Sequence, residues 1–168
     1  MNAHVKTLLT LTVLVVLLLV GVAWGWSAMT KPFPKKASPK ACYPTTLPAG
    51  ARVSAPKVTV SVFNASERVG LAERTMAAFQ DQGFGPGKVG NAPQGTIVHF
   101  AQVWSKHPAN PAVRLVASRL GPQARVVARH HGGPGVVVMV GPLFNKLVPG
   151  KASVKVTHPT TICSPPTG

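Results

Sequence analysis

Acidic residues are almost absent from this chain. Its 168 residues include 18 Lys and Arg but only 3 Asp and Glu, which gives a formal net charge of +15 at pH 7. The three acids, Glu67, Glu73 and Asp81, lie so close along the chain that no distant pair of carboxylates can converge as general acid and general base. The same scarcity argues against an oxygen-ligated Ca²⁺ or Mg²⁺ site. The composition therefore excludes most hydrolytic enzymes.

Cysteine is also scarce. We expect the protein to bind no metal and no cofactor and to have no catalytic residue. Cys42 and Cys163 are the only two, and neither belongs to a Cys-x-x-Cys pair, which makes zinc binding and redox catalysis poor alternatives. His130 and His131 are adjacent without a cysteine or carboxylate near them, so we interpret them as a solvated loop pair. The sequence predicts that the protein is not an enzyme.

A long uncharged apolar run occupies the N-terminus, from Leu8 to Trp26. At about 1.5 Å per residue, a helix of that length spans a hydrocarbon layer of about 30 Å. The run is longer than the apolar region of a cleaved secretory signal, and Gly25-Trp26-Ser27 is a poor cleavage sequence. We therefore expect an uncleaved transmembrane signal anchor over residues 8–26, after a short N-terminal segment, 1–7.

Proline content divides the rest of the chain into three parts. Residues 27–56 are rich in Pro and Lys and predict an extended, solvated stalk. Residues 149–168 form a tail rich in Pro and Thr. Only residues 57–148 between them have the hydrophobic periodicity of a packed core.

The first half of that segment alternates strands with a helix. Valines at every second position predict a strand that ends at Asn64, and apolar residues at helical spacing predict a helix over 71–79 that Gly83 stops. Gly85-Pro86-Gly87 predicts a turn before a short strand around 88–91, and a further strand is expected over 96–101.

The second half repeats the pattern. Asn110 and Pro111 supply the N-cap and the first residue of a second helix, which Gly121 stops. Strands are predicted over 125–128 and 136–140. The fold class is therefore α+β with the order β-α-β-β-α-β-β, in which a mixed sheet of four to five strands carries two helices on one face.

These residues carry a family resemblance. The strand followed by Asn64-Ala65-Ser66, the helix start at Gly70-Leu71-Ala72, Gly83-Phe84 and Val89-Gly90-Asn91-Ala92 resemble the LytR C-terminal domain family. Asn64, Ser66 and Gly70 are the motif turn of that resemblance. Ala65 stands where the family usually has Gly, which implies a looser turn or unusual dihedral angles at Asn64.

The resemblance implies an anchored, extracytoplasmic protein that supports bacterial cell-envelope integrity without catalysis. The layout of the whole chain is also similar to that of actinobacterial envelope-integrity proteins of the Cei type. The charges oppose this orientation, because four lysines follow the span and the positive-inside rule would place the domain in the cytoplasm. Long domains translocate with little regard to charge, so we expect the domain to lie outside the cell membrane.

An outside location is consistent with a disulfide between Cys42 and Cys163. Two cysteines allow one intramolecular bridge, each lies outside the predicted core, and the bridge needs an oxidising compartment. A disulfide-linked dimer is the alternative.

The basic surplus indicates either a partner of opposite charge or a general basic surface that only aids solubility. The candidate anionic-ligand surface consists of arginines that fall mostly outside the apolar faces: Arg68, Arg74, Arg114, Arg119, Arg125 and Arg129. Outside a cell they could meet an anionic wall polymer, another envelope protein or lipid headgroups. The alternative is a membrane-tethered nucleic-acid-binding module, but the domain lacks the interleaved aromatic residues that stack on bases.

Overall fold

The described part of the first of two compact units is a long helix. The computed structural model describes residues 3–30, 41–130 and 132–166, and the chain divides into Met1–Ser38 and Pro39–Gly168. Helix α1 (Ala3–Thr30) contains a segment, Leu8–Ser27, that is long and apolar enough to cross a membrane, as a signal sequence also is. The hydroxyl of Thr12 donates to the Leu8 carbonyl at 2.8 Å, which satisfies this polar group within the helix. The predicted apolar helix is present.

The second unit has the predicted element order, flanked by additional strands. In chain order its elements are β1 (Tyr43–Leu47), β2 (Arg52–Ser54), a 3₁₀ turn (Ala55–Lys57), β3 (Thr59–Asn64), α2 (Leu71–Asp81), β4 (Gly85–Asn91), β5 (Ala101–Trp104), α3 (Pro111–Leu120), β6 (Arg125–Val127), β7 (Val136–Val140), β8 (Ser153–Lys155) and β9 (Thr160–Ser164). From β3 to β7 the order is β-α-β-β-α-β-β, which confirms the predicted α+β fold.

A five-stranded mixed sheet organises this unit. Its order is β4-β3-β7-β5-β6. The β5–β7 pair is antiparallel, and the other three adjacent pairs are parallel. Strand β7 is central and buried along its whole length. A central strand is covered on both faces, which explains its continuous apolar sequence, Val-Val-Val-Met-Val.

Both helices pack on one face of the sheet. Val60 lies beside Val136 and Val62 beside Val138, and all four belong to the main buried cluster. Helix α2 adds Leu71, Met76 and Phe79 to that cluster, and α3 adds Val113, Val116 and Leu120. These six residues are the predicted helix faces. Asn110 caps α3, because its side-chain oxygen accepts a hydrogen bond from the Ala112 N–H at 2.9 Å.

Two long cationic side chains lie over aromatic rings on the opposite, helix-free face. Phe63, Trp104 and Met139 are buried there in a second cluster. The Lys88 ammonium lies 6.0 Å from the centre of the Phe63 ring, and the Arg129 guanidinium lies 5.5 Å from the centre of the Trp104 ring. Cations at this distance attract the ring face, and their aliphatic stems cover apolar surface.

The predicted strand over 96–101 is wrong, because the strand in this region is β5, at 101–104. Pairing with β7 fixes the position of this strand, since Ala101 lies opposite Val140 and Trp104 lies opposite Val137. Residues before Ala101 form a loop that is hydrogen-bonded to the segment after β7. The Gly141 N–H donates to the Phe100 carbonyl, and the Leu143 N–H donates to the His99 carbonyl. The apolar alternation therefore extends beyond the strand into a packed loop.

Gly85-Pro86-Gly87, predicted as a turn, is the first part of β4. Pro86 is tolerated because β4 is an edge strand, where a missing N–H costs no ladder bond. Gly87 lies beside an irregularity in the β3–β4 register, where a Cβ atom would come 2.5 Å from Ser61 Oγ. Only glycine, which has no Cβ atom, allows β4 to approach Ser61 this closely.

The structure also corrects the limits of the stalk and the tail. Strands β1 and β2, predicted as solvated stalk, pair with β9 and β8 in the tail, each pair antiparallel. Val53, Val154 and Ile162 belong to the main buried cluster, and α3 packs against β2 and β8. The folded unit therefore extends well beyond 57–148, because both flanks cover apolar surface of α3. Stalk residues 31–40 lie outside the described residues.

Candidate functional site

The motif turn, which contains Asn64, Ser66 and Gly70, has a structural role because it leads the chain into α2. The Asn64 side-chain oxygen accepts bonds from the Ser66 N–H at 3.0 Å and the Ser66 hydroxyl at 2.7 Å, while its amide donates to the Arg68 carbonyl at 2.8 Å. Gly70, at φ 71°, takes the left-handed conformation before α2. No non-glycine residue of the described segments has positive φ, so the expectation of unusual dihedral angles at Asn64 is wrong.

A polar cleft of about 630 Å³ lies beside this turn, at the edge of the sheet that is formed by the carboxyl ends of β3 and β4. We call it the edge cleft. It is lined by residues of the β3–α2 turn, the first turn of α2 and the β4–β5 loop: Asn64, Ala65, Ser66, Glu67, Val69, Gly70, Glu73, Asn91, Ala92, Pro93, Gln94, Gly95 and Thr96. Two of the three acids in the chain are among them, and no Lys or Arg is. The cleft is thus the acidic site of a strongly basic protein.

Three exposed aliphatic side chains, the apolar rim, lie on loops at the same edge of the sheet. Val69 is 90 % exposed, Ile97 78 % and Leu143 63 %. Their loops are held together, because Arg68 Nη1 donates to the carbonyls of Pro142 at 3.0 Å and Phe144 at 2.6 Å. The Leu143 N–H in turn donates to the His99 carbonyl at 3.0 Å.

The arginines of the predicted surface lie on different parts of the domain, and two of them are bound to backbone carbonyls. Arg68 holds the 142–144 loop as described, and Arg119 Nη2 donates to the Lys151 carbonyl at 3.0 Å. Arg68 and Arg74 line a common groove with Lys146, on the other side of the α2 start from the cleft. Arg74 and Arg114 are exposed on the two helices.

The remaining two arginines lie on the helix-free face. Arg125 is exposed and pairs in register with Gln102, whose side chain accepts a hydrogen bond from the Trp104 indole at 2.9 Å. Arg125 therefore shares a face with Trp104, and with Arg129 and Lys88, which lie over the aromatic rings. None of the three acids lies on the sheet, because Glu67 precedes α2 and the other two are within it.

Only one member of the histidine pair is among the described residues. His130 is exposed and His131 lies outside the described residues. Within the described part of the chain, no group of three His, Cys, Asp or Glu side chains could hold a metal ion.

Comparison with known proteins places the domain in a family. Residues 57–144, just over half of the chain, match the family model LytR_C, described as LytR cell envelope-related transcriptional attenuator. The chain belongs to this family. The match begins just before β3 and ends at Phe144, so it contains the whole five-stranded sheet of the LytR_C domain together with both of its helices.

One solved structure is similar in fold to this LytR_C protein. It is the soluble domain of a conserved hypothetical secreted protein from Mycobacterium marinum, 23 % identical, covering 62 % of this chain and 69 % of that one with a TM-score of 0.47. Nothing about function follows from so distant a likeness. A comparison with curated proteins gives no match.

A disulfide joins the two flanks of the LytR_C domain, as predicted. Cys42 and Cys163 are 121 residues apart in sequence and their Cα atoms are 5.4 Å apart. Cys163 lines a shallow cavity with Trp104 and Val136, at the end of β5 and the start of β7. Since β3 runs parallel to β7, the disulfide lies at the edge of the sheet opposite to the edge cleft.

Sequence reasoning missed the edge cleft and its apolar rim. One signal was available, because Glu67 and Glu73 bracket the α2 start in a chain with almost no other acid. Ile97 gave no signal, since its place in an apolar alternation predicted a strand.

Proposed function

We propose that this LytR_C protein is a membrane-anchored, extracytoplasmic and non-enzymatic adaptor of the bacterial cell envelope. The disulfide is the observation that carries the proposal, because a bridge over 121 residues persists only in an oxidising compartment. The apolar helix α1 would act as the uncleaved anchor, with the LytR_C domain on the outer side. An oxidising location also disfavours the alternative of a nucleic-acid-binding module.

The helix-free face of the sheet is the surface we assign to an anionic wall polymer. Lys88 and Arg129 lie over aromatic rings of this face and Arg125 is exposed on it, and the acids that would oppose them lie on the α2 side of the molecule. Cations distributed across one face of a sheet, from β4 to β6, raise the local concentration of a polyanion such as a wall polymer that carries phosphate or carboxylate groups.

Membrane location and orientation are tested on intact cells. We expect protease added outside to cleave the LytR_C domain, and mass spectrometry with thiols blocked to find Cys42 and Cys163 joined. Full-length mass with α1 retained identifies an uncleaved anchor. A protease-resistant domain with two alkylated cysteines would contradict the proposal.

Polymer binding is tested by sedimentation of the full-length protein with isolated cell walls. Because exposed charges are screened over about 10 Å at about 0.1 M salt, we expect the bound fraction to fall steeply from low to physiological salt. Replacing Lys88, Arg125 and Arg129 by Ala should remove most of the binding.

The matched control replaces Arg74 and Arg114, which are exposed on the helices, by Ala. It should retain most of the binding although it also lowers the net charge. Equal losses per charge removed in the two variants would show a general charge effect, and binding that is indifferent to salt would show a different, specific site.

A further inference from the structure

The edge cleft combines negative charge with exposed aliphatic surface, which is unusual on this protein. Glu67 and Glu73 line it in a chain of net charge +15, and no salt bridge engages either of them among the described residues. Arg74 lies against Gly70, at the boundary between the cleft and the neighbouring groove, and so limits the acidic surface on that side. An open cleft with these groups favours a cation.

The apolar rim adds a second recognition element. Five large apolar side chains are exposed among the described residues of the folded unit, and three of them, Val69, Ile97 and Leu143, lie at this edge. Single exposed aliphatic residues are ordinary, but several at one edge mark an interaction surface. The Arg68 bonds to the 142–144 loop and the Asn64 turn fix the loops in place, which lowers the entropy lost on binding.

We propose that the edge cleft and its apolar rim bind a segment of another envelope protein that carries a Lys or Arg side chain flanked by aliphatic side chains. This inference rests on the extracytoplasmic location proposed above. The basic group would lie between Glu67 and Glu73, and the aliphatic groups against Val69 and Ile97. The protein would then join two partners, with the wall polymer on the helix-free face and a protein at the edge farthest from the disulfide.

Charge disfavours the other occupants. A symmetric dimer with its two-fold axis at the cleft would bring Glu67 and Glu73 of one copy against the same acids of the second, and like charges opposed across an interface cost several kcal/mol. An anionic polymer or anionic lipid surface would be repelled for the same reason. A basic segment with aliphatic side chains matches both features.

The test uses the full-length protein in nanodiscs of zwitterionic lipid and three short fluorescent peptides. In the first, Lys and Leu alternate with Ser. The second has Ser in place of Leu, and the third has Gln in place of Lys, because a Glu peptide would bind the cationic helix-free face. Fluorescence anisotropy is expected to show the tightest binding for the first peptide, about tenfold weaker binding for the second, and none for the third.

Two pairs of variants separate the cleft from general charge and general hydrophobicity. Glu67→Lys combined with Glu73→Lys should weaken binding of the first peptide by more than about tenfold. Asp81→Lys, an exposed acid at the far end of the same helix, should leave it unchanged. Val69→Ser combined with Ile97→Ser should weaken it similarly, whereas Val126→Ser, 39 % exposed on β6, should not.

The proposal is overturned if the first peptide does not bind, if it binds the Glu67→Lys, Glu73→Lys variant equally well, or if the Gln-containing peptide binds as tightly. A dimer that Ile97→Ser dissociates in sedimentation analysis would overturn it in favour of a second copy. Cell-wall sedimentation of the same variants keeps the two proposals apart. Retained wall binding with failed peptide binding removes only the edge site, and the reverse result removes only the wall-polymer function.

Discussion

Arg68 and Arg119 show how a charged side chain serves the fold of this protein. Arg68 donates to the carbonyls of Pro142 and Phe144, and Arg119 donates to the Lys151 carbonyl. Hydrogen bonds from a charged donor are stronger than neutral ones, at about 1.5–3 kcal/mol each. With few acids to pair with, these arginines donate to loop carbonyls and so join segments that are distant in sequence. Their removal would therefore act on stability first and on ligand binding only through it.

Gly135 and Gly95 provide a matched pair of substitutions at the residue scale. Both have positive φ, 73° and 77°, but a Cβ at Gly135 would overlap the Thr59 carbonyl oxygen, whereas one at Gly95 would meet nothing within 4 Å. The backbone strain of an L-residue costs about 1–2 kcal/mol in either place. We therefore expect Gly95→Ala to cost about that amount and Gly135→Ala at least about 2 kcal/mol more.

Thermal or urea unfolding of the two variants measures this difference. The parent protein and a surface variant, Gln80→Ala, serve as references. Equal destabilisation by the two alanines would show that the contact between Gly135 and β3 is looser than the structure has it.

Edge and central positions explain the sequences of the strands at the scale of elements. Strand β7 is central, and its five residues are all buried and apolar. Strand β4 is at the edge, where three glycines and a proline are accommodated beside β3. Strand composition therefore follows position in the sheet.

Helix α2 gives the element-scale prediction. Met76 is 5 % exposed against the sheet, and Ala77, the next residue, is exposed to solvent. Met76→Asp would bury an unpaired charge, so we expect a loss of about 3 kcal/mol or more and a fall of the melting midpoint by more than about 10 °C.

Ala77→Asp is the control for charge and helix propensity, and it should cost less than about 1 kcal/mol. Circular dichroism melts compare the two variants. If Met76→Asp melts with the parent, α2 does not present this face to the sheet.

The whole folded unit depends on its two flanks. Val53, Val154, Val156 and Ile162 lie outside the segment that the family model matches, yet they are between 0 and 5 % exposed in the main buried cluster. Burying an aliphatic side chain of this size contributes about 1.5–3 kcal/mol. Four such residues are comparable with the whole stability of a small domain, about 5–15 kcal/mol.

A fragment restricted to residues 57–148 should therefore fail to unfold cooperatively. A fragment of residues 41–166, which keeps both strand pairs and the disulfide, should show a sharp transition. Differential scanning calorimetry compares the two fragments. A cooperative transition of the shorter fragment at the same temperature would mean that the flanks are accessories rather than part of the core.

Local patterns determined much of this protein by themselves. The apolar run predicted α1, the valine alternation predicted β3, and the glycines at 83 and 121 placed the helix ends. The presence of two cysteines predicted the disulfide between them, because only one intramolecular pairing exists. These features depend on composition or on neighbours within a few residues, so the sequence contains them directly.

Tertiary structure decided the position of β5, the strand pairing of the two flanks, the roles of the arginines and the existence of the edge cleft. Each depends on partners far apart in sequence. Ala101 pairs with Val140, Tyr43 pairs with Ser164, and Arg68 bonds to Phe144. An alternating or Pro-rich segment becomes a strand only where a complementary edge is free to pair with it. The free energy that fixes these choices comes from burial and hydrogen bonding between segments brought together by the fold, which no local pattern encodes.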